Sequence, residues 1–454
     1  MHTRTTCRSM AMTMVSLALV AGIGCSGGQP SPDREAVGYA PDGRLVTPVN
    51  QVLTPHGRQI DLPGMRPQAL ALSPDGSLLV TAGKTNDLVV IDPVEGTILQ
   101  RVALPGEGDS TDPDGRGQVS YTGLIFSPDG DRVYMSNVNG SVKVFAVDPA
   151  SGVRPERTFA LAPARAPRRS SEIPSGLAVS ADGGRLYVCG NLSNTLLEID
   201  TATGATTRTF EVGVAPYDVR LVGRKAYVTN WGGRRPGDDD VTGPAGKGTL
   251  VRVDPVSHIA SEGSVSVIDL DRGRVTSEIL TGLHASGLAV SKDEKWVVVC
   301  NAASDHLSVI DTTSDTVATR IWMKATPAEL LGAAPNAATF DADGEWLLVA
   351  NGSQNAIAMV EFDTDEPEDS ELEGLVPVGW YPGAVVFDPH RDTVIAANIK
   401  GLPREPKARG GTTGFNSHHY HGSLSMFPVP EASELPSLSA QVARNMREPR
   451  IERS

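Results

Sequence analysis

The chain has 454 residues, of which 40% are hydrophobic and 21% are charged, a composition typical of a soluble globular protein. Its 47 glycines and 33 prolines indicate many turns and favour an all-β fold. The formal net charge of −14 argues against long-range attraction to nucleic acid or to anionic lipid. We therefore expect no nucleic acid among its partners.

An export signal is predicted at the N-terminus. Arg4 and Arg8 precede an apolar run over 11–21, which is too short to span a bilayer. Small residues then lead to Cys25, in a stretch that resembles a bacterial lipoprotein signal and implies lipidation of that cysteine. Gly22 stands where such signals carry a bulky aliphatic residue, so secretion without an anchor is the alternative. We expect a periplasmic or membrane-anchored bacterial protein whose only membrane contact is the lipid.

Seven copies of one pattern follow the export signal. The fourth copy contains Tyr227-Val228-Thr229-Asn230 and, after an insertion, a Ser-Val-Ile-Asp type run over 263–269. Short runs rich in Val, Ile, Leu and Thr, separated by Pro-Asp-Gly turns, are typical of antiparallel strands. A fourth run, such as 97–102, gives four strands per copy, the number in a propeller blade. The seventh copy lacks its fourth run, and we expect Val52-Leu53 with the segment 58–62 to supply it and close the ring.

The cadence of Ser-Pro-Asp-Gly, Tyr-Val-Thr-Asn and Ser-Val-Ile-Asp resembles the YVTN-repeat, YncE-like seven-bladed β-propellers. The predicted fold is therefore all-β, a seven-bladed β-propeller of four-stranded antiparallel blades in a ring closed by an N-terminal strand. Such folds host binding, hydrolysis and redox chemistry alike, so the fold does not define an activity. The predicted divisions are a lipoprotein-type signal peptide (1–24), a flexible tether (25–49), the propeller (50–430) and a helical linker remnant (431–454).

Two residue types recur within the repeats. Cys189 and Cys300 occupy the position of Thr229 in copies three and five, which are not neighbours in a ring, so we expect two buried thiols and no disulfide. A repeated asparagine is predicted to fix the turn after the second strand, at Asn137, Asn230, Asn301, Asn351 and Asn398.

Long connections are predicted on one face of the ring only. In a four-stranded blade, the turns joining strands one to two and three to four lie on one face, and all other connections lie on the opposite face. The long segments belong to the second class, namely 106–118, 232–262, 323–334 and 401–421. Variable loops on a rigid scaffold commonly carry function, so we expect a protein or small-molecule ligand on this face. The predicted ligand-binding residues are Tyr121, Tyr217, Trp231, His284, Trp380, Tyr381 and Arg409. The alternative is that the aromatic residues only plug the central channel.

Candidate chemistry is sparse. His418, His419 and His421 are spaced closely enough to bind a transition metal, but no carboxylate or cysteine partner is apparent, so an exposed or partner-docking loop is the alternative. The chain has no Gly-x-Ser-x-Gly, His-Glu-x-x-His or phosphate-binding glycine motif. We therefore predict a non-catalytic protein without a cofactor, and a lactonase-like hydrolase on the same fold is the alternative.

A second resemblance concerns the last repeat. Lys400-Gly401-Leu402, Gly422-Ser423-Leu424-Ser425 and the segment 438–445 resemble the junction of two-domain exported bacterial proteins. In those proteins a YncE-like propeller precedes a phosphoesterase domain of the alkaline phosphatase superfamily. The resemblance implies that this chain corresponds to the propeller half without the phosphoesterase domain. We predict a monomeric binding or scaffolding module that partners a separately encoded phosphoesterase.

Overall fold

The repeats fold as four-stranded antiparallel sheets. The computed structural model describes residues 35–106, 117–148, 151–246, 248–325, 331–402 and 420–448. Seven four-stranded sheets lie in these ranges, and we call them blades 1 to 7 in chain order. In the middle strands of a blade almost every residue is buried, because neighbouring blades cover both faces of the sheet. The outermost strands show more exposed positions, as expected for an edge.

Four short strands precede the first blade: β1 (Gly38–Tyr39), β2 (Leu45–Val46), β3 (Val52–Leu53) and β4 (Arg58–Asp61). Strands β1 to β3 pair with one another in a small sheet, here called the N-terminal sheet. Leu45 and Leu53 are buried against Trp380 and Leu402. The predicted tether over 25–49 is thus wrong for residues 38–46, because burial of these aliphatic side chains holds a segment whose composition alone indicates a flexible chain.

Blades 1 to 3 are built from consecutive strands. From the innermost to the outermost strand, blade 1 comprises β5 (Pro67–Leu72), β6 (Leu79–Gly83), β7 (Asp87–Ile91) and β8 (Ile98–Ala103). Blade 2 comprises β9 (Val119–Phe126), β10 (Arg132–Asn137), β11 (Ser141–Asp148) and β12 (Gly152–Ala160). Blade 3 comprises β13 (Pro174–Val179), β14 (Arg185–Gly190), β15 (Thr195–Asp200) and β16 (Thr206–Glu211).

Blade 4 contains an inserted hairpin between its second and third strands. Blade 4 comprises β17 (Pro216–Val222), β18 (Lys225–Asn230), β21 (Ser264–Asp269) and β22 (Arg274–Leu280), and its inserted hairpin comprises β19 (Thr242–Pro244) and β20 (Leu250–Arg252). Blade 5 comprises β23 (Ala285–Val290), β24 (Trp296–Asn301), β25 (His306–Asp311) and β26 (Thr316–Trp322), and blade 6 comprises β27 (Pro335–Phe340), β28 (Trp346–Asn351), β29 (Ala356–Glu361) and β30 (Glu371–Pro377), with a 3₁₀ helix (Pro367–Asp369) before β30. Blade 7 contains β31 (Trp380–Asp388), β32 (Thr393–Lys400) and β33 (Ser423–Pro428).

The N-terminal strand β4 completes blade 7. It pairs antiparallel with β33, and Ile60 lies opposite Leu424. The innermost strands contact one another in sequence, and β31 contacts β5, so the blades form a closed ring. A closed ring of four-stranded antiparallel sheets is a β-propeller. The closing strand predicted within 58–62 is confirmed, whereas Val52 and Leu53 pair with β2.

The repeated asparagines hold blades together at the end of the second strand. Asn301 Nδ2 donates to Ser308 Oγ (3.0 Å), and Asn301 Oδ1 accepts from Gly282 N (3.0 Å) in the incoming connection. Asn398 Nδ2 donates likewise to Ser425 Oγ (3.0 Å). The bonds to serine join the second strand to the third, and the bond from Gly282 joins the second strand to the incoming connection. The asparagine therefore has a structural role in these two blades, and its predicted role in fixing the following turn stays a prediction.

The cysteines of the repeats are Cys189 and Cys300, and both are buried and free. Burial raises the pKa of each thiol, so both are held in the unreactive protonated form. The prediction of two buried thiols is confirmed.

A helix, α1 (Leu435–Met446), follows blade 7 and packs against β30 and β3. It buries Leu435, Leu438 and Val442, and Gln441 Nε2 donates to the Thr54 carbonyl oxygen (3.0 Å). The helix predicted within the linker remnant is therefore present and is fixed to the propeller. In the described ranges, no helix has the length and apolarity needed to cross a bilayer.

Candidate functional site

The long connections between strands lie on one face of the ring, here called the elaborated face, because each of them follows an outermost strand or a second strand. The four segments predicted there follow the outermost strand of one blade or the second strand of a blade. The connection over 161–173, between β12 and β13, belongs to the same class and extends the face beyond the predicted set. The insertion over 232–262 is the one whose fold is described almost completely, and it carries the β19–β20 hairpin.

Four of the predicted aromatic residues meet in one cluster, here called the aromatic cluster. Trp231 stacks on Tyr217, with ring centroids 4.7 Å apart and 12° between planes, and on His284 at 5.5 Å and 22°. Tyr121 meets Tyr217 and Trp231 edge to face, at 5.6 and 5.7 Å. Both geometries are favourable for aromatic pairs. Because Tyr121 belongs to blade 2 and Tyr217 to blade 4, the cluster bridges blades that are not adjacent.

The rings of the aromatic cluster come from the entries to the innermost strands of blades 2, 4 and 5 and, for Trp231, from the end of the second strand of blade 4. Burial raises the pKa of Tyr217 and lowers that of His284, so both side chains are neutral at pH 7. The backbone adopts a left-handed conformation at Tyr121 and His284, with φ of 52° and 53°. Ala215 and Ala334 share this conformation near the starts of other innermost strands, so it is a property of the fold. Whether these aromatics bind a ligand or only plug the channel stays a prediction.

A cavity of about 440 Å³, here called the aromatic pocket, lies between the aromatic cluster and the inserted hairpin. Tyr121, Trp231 and His284 form one wall, and the hairpin supplies the opposite wall through small residues over 243–246. Apart from His258 and His284, every residue lining this pocket is uncharged. A pocket of this size with aromatic walls suits a small neutral ligand.

Short-range contacts hold the hairpin over the pocket. Val251 and Val253 pack on Val214, which precedes blade 4. Asn194 Nδ2 donates to Thr249 Oγ1 (2.6 Å), which joins the hairpin to blade 3. The hairpin is thus anchored on both sides, and the pocket is formed without a ligand.

Trp231, in the wall of the aromatic pocket, carries a buried donor without an acceptor. Its Nε1 atom is buried and has no hydrogen-bond partner among the described residues. A buried N–H group without an acceptor costs free energy, and because this atom is enclosed by protein atoms it is not open to the pocket. Asn191 also lines the pocket, and its Oδ1 accepts weakly from the Tyr121 hydroxyl (3.4 Å).

The predicted residues Trp380 and Tyr381 lie apart from the aromatic cluster, on the side of blade 7. Trp380 contacts Tyr420 edge to face at 5.1 Å, and the ammonium of Lys400 lies over the rings of Trp380 and Tyr381, at 5.6 and 4.4 Å from their centroids. The prediction did not include Lys400. Its position two residues after the repeated Asn398 is a signal that sequence comparison between the blades could have used.

The channel below the aromatic cluster contains an ion pair that sequence reasoning missed. Asp218 Oδ1 accepts from Arg220 Nη1 (3.1 Å), and Asp218 Oδ2 accepts from the backbone N–H of Leu288 in blade 5 (3.0 Å). The corresponding residue of every other blade is Gly or Ala, at Ala69, Gly123, Gly176, Gly287, Ala337 and Ala384. Alignment of the repeats could have revealed this residue, because Asp218 is acidic at a position where the other six blades have Gly or Ala.

Comparisons with known proteins agree with this architecture. No family model and no curated protein matches the chain. Among solved structures, hydrazine synthase of Kuenenia stuttgartiensis is similar with a TM-score of 0.55 and 20% identity, over 75% of this chain and 94% of that one. A structure of U3-55K is similar with a TM-score of 0.57 and 12% identity, over 81% of this chain and 98% of that one. The chain has a β-propeller fold. At these identities, the likeness concerns the fold of the propeller alone.

Several predicted site residues lie outside the described part of the propeller: Cys25, Arg409, His418 and His419. His421 is described, and its backbone N–H donates to the Gly401 carbonyl oxygen (3.1 Å). Across the described ranges, no three His, Cys, Asp or Glu side chains are grouped as metal ligands would be. The three-histidine hypothesis itself stays a prediction.

Proposed function

We propose that this propeller is a non-catalytic binding module of the YncE-like type, and that its ligand site is the aromatic pocket. The observation that carries the proposal is a pocket of about 440 Å³ between the aromatic side chains of Tyr121, Trp231 and His284 and the inserted hairpin. The pocket exists because blade 4 has an insertion, which closure of the ring does not require. The uncharged walls favour a neutral ring-bearing group with a hydrogen-bond acceptor.

Export and a phosphoesterase partner are further parts of the proposal. The N-terminal segment supports export with lipidation at Cys25, and the residues around Lys400 to Leu402 resemble the junction that precedes a phosphoesterase domain. Sequencing the DNA downstream of codon 454 in all frames tests the partner. A phosphoesterase reading frame there would support it, and its absence from that region would contradict it.

Isothermal titration with small neutral ring compounds tests the binding site. Benzamide and methyl β-glucoside are suitable probes, because each has a flat or ring-shaped face and an acceptor. We expect heat of binding from at least one probe, and we expect Trp231→Ala to abolish it. Trp322→Ala is the matched control, since Trp322 is exposed on the outermost strand of blade 5. No heat from either probe, or equal heat in both variants, would contradict the proposal.

Assays of the purified chain with lactones and phosphodiesters separate binding from catalysis. A binding module should give no turnover above a heat-denatured sample. Turnover that persists with chelator and disappears in His284→Gln would instead support the hydrolase alternative, because His284 is the neutral imidazole at the pocket wall.

A further inference from the structure

Lys400 is a half-buried cation without an anionic partner. Its ammonium lies over the Trp380 and Tyr381 rings, and no hydrogen bond or ion pair to Lys400 occurs in the described part of the chain. Burial is the main cause that lowers the pKa of Lys400, and the charge of Arg66 adds to the effect. Aromatic faces stabilise a cation only in part, so the site favours a further negative group.

Arg66 is a second cation whose charge acts on Lys400 and contributes to its lowered pKa. Gly422 N donates to the Met65 carbonyl oxygen (2.7 Å), which fixes the chain just before Arg66 against the start of β33. Several partly buried cations elsewhere in the propeller are paired with carboxylates, as in Lys225 with Asp315, Arg234 with Glu262, Arg252 with Asp240 and Arg391 with Asp388. The Lys400 ammonium differs from these, because it has no carboxylate partner in the described ranges.

An apolar cavity adjoins Lys400. It has a volume of about 340 Å³ and lies between the N-terminal sheet and blade 7, lined by Leu45, Leu53, Leu402 and Trp380 in addition to Lys400. Asp61, the acidic residue of the lining, is exposed and forms no ion pair with Lys400. Apolar walls beside an unpaired cation fit a molecule that has one anionic group and an apolar body.

We propose that this cavity binds a small organic anion, with its carboxylate or phosphate group on Lys400 and its apolar part between Trp380 and the N-terminal sheet. The anion replaces the missing counter-charge, and the apolar walls exclude water from the pair. The two sites share no lining residue, so this proposal does not depend on the aromatic pocket.

Titration calorimetry tests the anion site. The probes are benzoate, phenyl phosphate, neutral benzyl alcohol and inorganic phosphate. We expect benzoate or phenyl phosphate to bind at least tenfold more tightly than benzyl alcohol and inorganic phosphate, because only they combine charge with an apolar body. The tighter of the two identifies the headgroup as a carboxylate or a phosphate. Equal affinity for benzyl alcohol and both organic anions would overturn the proposal.

Substitutions connect binding to the cation. Lys400→Met keeps an unbranched apolar side chain over the rings and should weaken the binding of the anion by about tenfold to hundredfold, the loss of one charge-assisted hydrogen bond. Lys400→Arg should retain most of the affinity. Lys292→Met, which removes an exposed lysine from the opposite face, is the control and should not change it. Unchanged affinity in Lys400→Met would overturn the proposal.

Chemical labelling of the unsubstituted protein gives a measurement that does not depend on folding of a variant. Trinitrobenzenesulfonate modifies lysine amines, and mass spectrometry reports each site separately. We expect saturating benzoate or phenyl phosphate to slow labelling of Lys400 at least several-fold and to leave Lys292 unaffected. Equal rates at Lys400 with and without both anions would contradict the site.

Discussion

Replacement of Asp218 by alanine should destabilise the propeller by removing a link between two blades. The carboxylate is 6% exposed and accepts from three donors, the backbone N–H groups of Val219 and Leu288 and the guanidinium of Arg220. Leu288 lies within the buried stretch of the innermost strand of blade 5 and is 1% exposed, so its N–H loses its side-chain acceptor at a buried position.

The expected loss follows from the burial of the two partners. A backbone N–H left buried without an acceptor costs about 1–3 kcal/mol. The ion pair contributes less, because the Arg220 side chain is 39% exposed, and pairs at such exposure contribute about 0–1 kcal/mol. We therefore expect Asp218→Ala to lower the free energy of unfolding by about 1–4 kcal/mol. Asp218→Ala with Arg220→Met should cost less than the sum of the single changes, because the guanidinium is no longer left unpaired.

Urea denaturation followed by circular dichroism and tryptophan fluorescence measures this loss. The two probes should report the same midpoint, and the slope should match that of the unsubstituted protein. Asp343→Ala removes an exposed carboxylate on the opposite face and is the control. A change within about 0.5 kcal/mol for Asp218→Ala, the usual range for surface substitutions, would refute the reasoning.

Three further predictions address the ring, the thiols and a buried histidine. Ile60→Ala in the closing strand should cost about 2–4 kcal/mol in urea denaturation, because Ile60 is buried, whereas the exposed Val49→Ala should cost little. Thiol titration should find Cys189 and Cys300 unreactive in buffer and both reactive in denaturant, and a disulfide between them would contradict the blade assignment. Burial lowers the pKa of His306, so the unfolded chain binds its proton first, and stability should fall as pH drops below about 6.5 towards the lowered pKa. His306→Gln should reduce that slope, and an unchanged slope would show that other groups cause it.

The fold was largely predictable because the repeat encodes it at short range. Each blade needs only short apolar strands and tight turns, and both signals are local in sequence. Strand β4 was found because a ring with a missing strand has one place for it. The N-terminal sheet was not found, because two-residue strands carry no periodicity and depend on the burial of Leu45 and Leu53 against distant blade 7.

The candidate sites were predictable only in part. The choice of face followed from loop lengths, and four of the seven predicted residues do meet in the aromatic cluster. Which rings meet depends on the left-handed backbone at Tyr121 and His284 and on the curvature of the ring, and neither is encoded in a local pattern. Lys400 was missed because a lysine near aromatic residues in sequence does not reveal whether a carboxylate lies nearby in space.

Both candidate sites use a residue that lies one or two positions after the asparagine that ends the second strand of a blade. The asparagine at the end of the second strand bonds the third strand in blades 5 and 7, and the two residues that follow it do not take part in these bonds. In blade 4 the next residue is Trp231, and in blade 7 the second residue is Lys400. The corresponding residues of blade 3 are Asn191 and Leu192, which also line the aromatic pocket. Residues that line the two candidate sites therefore directly follow the end of the second strand in blades 3, 4 and 7, where a side chain gains a rigid position without a cost to ring closure.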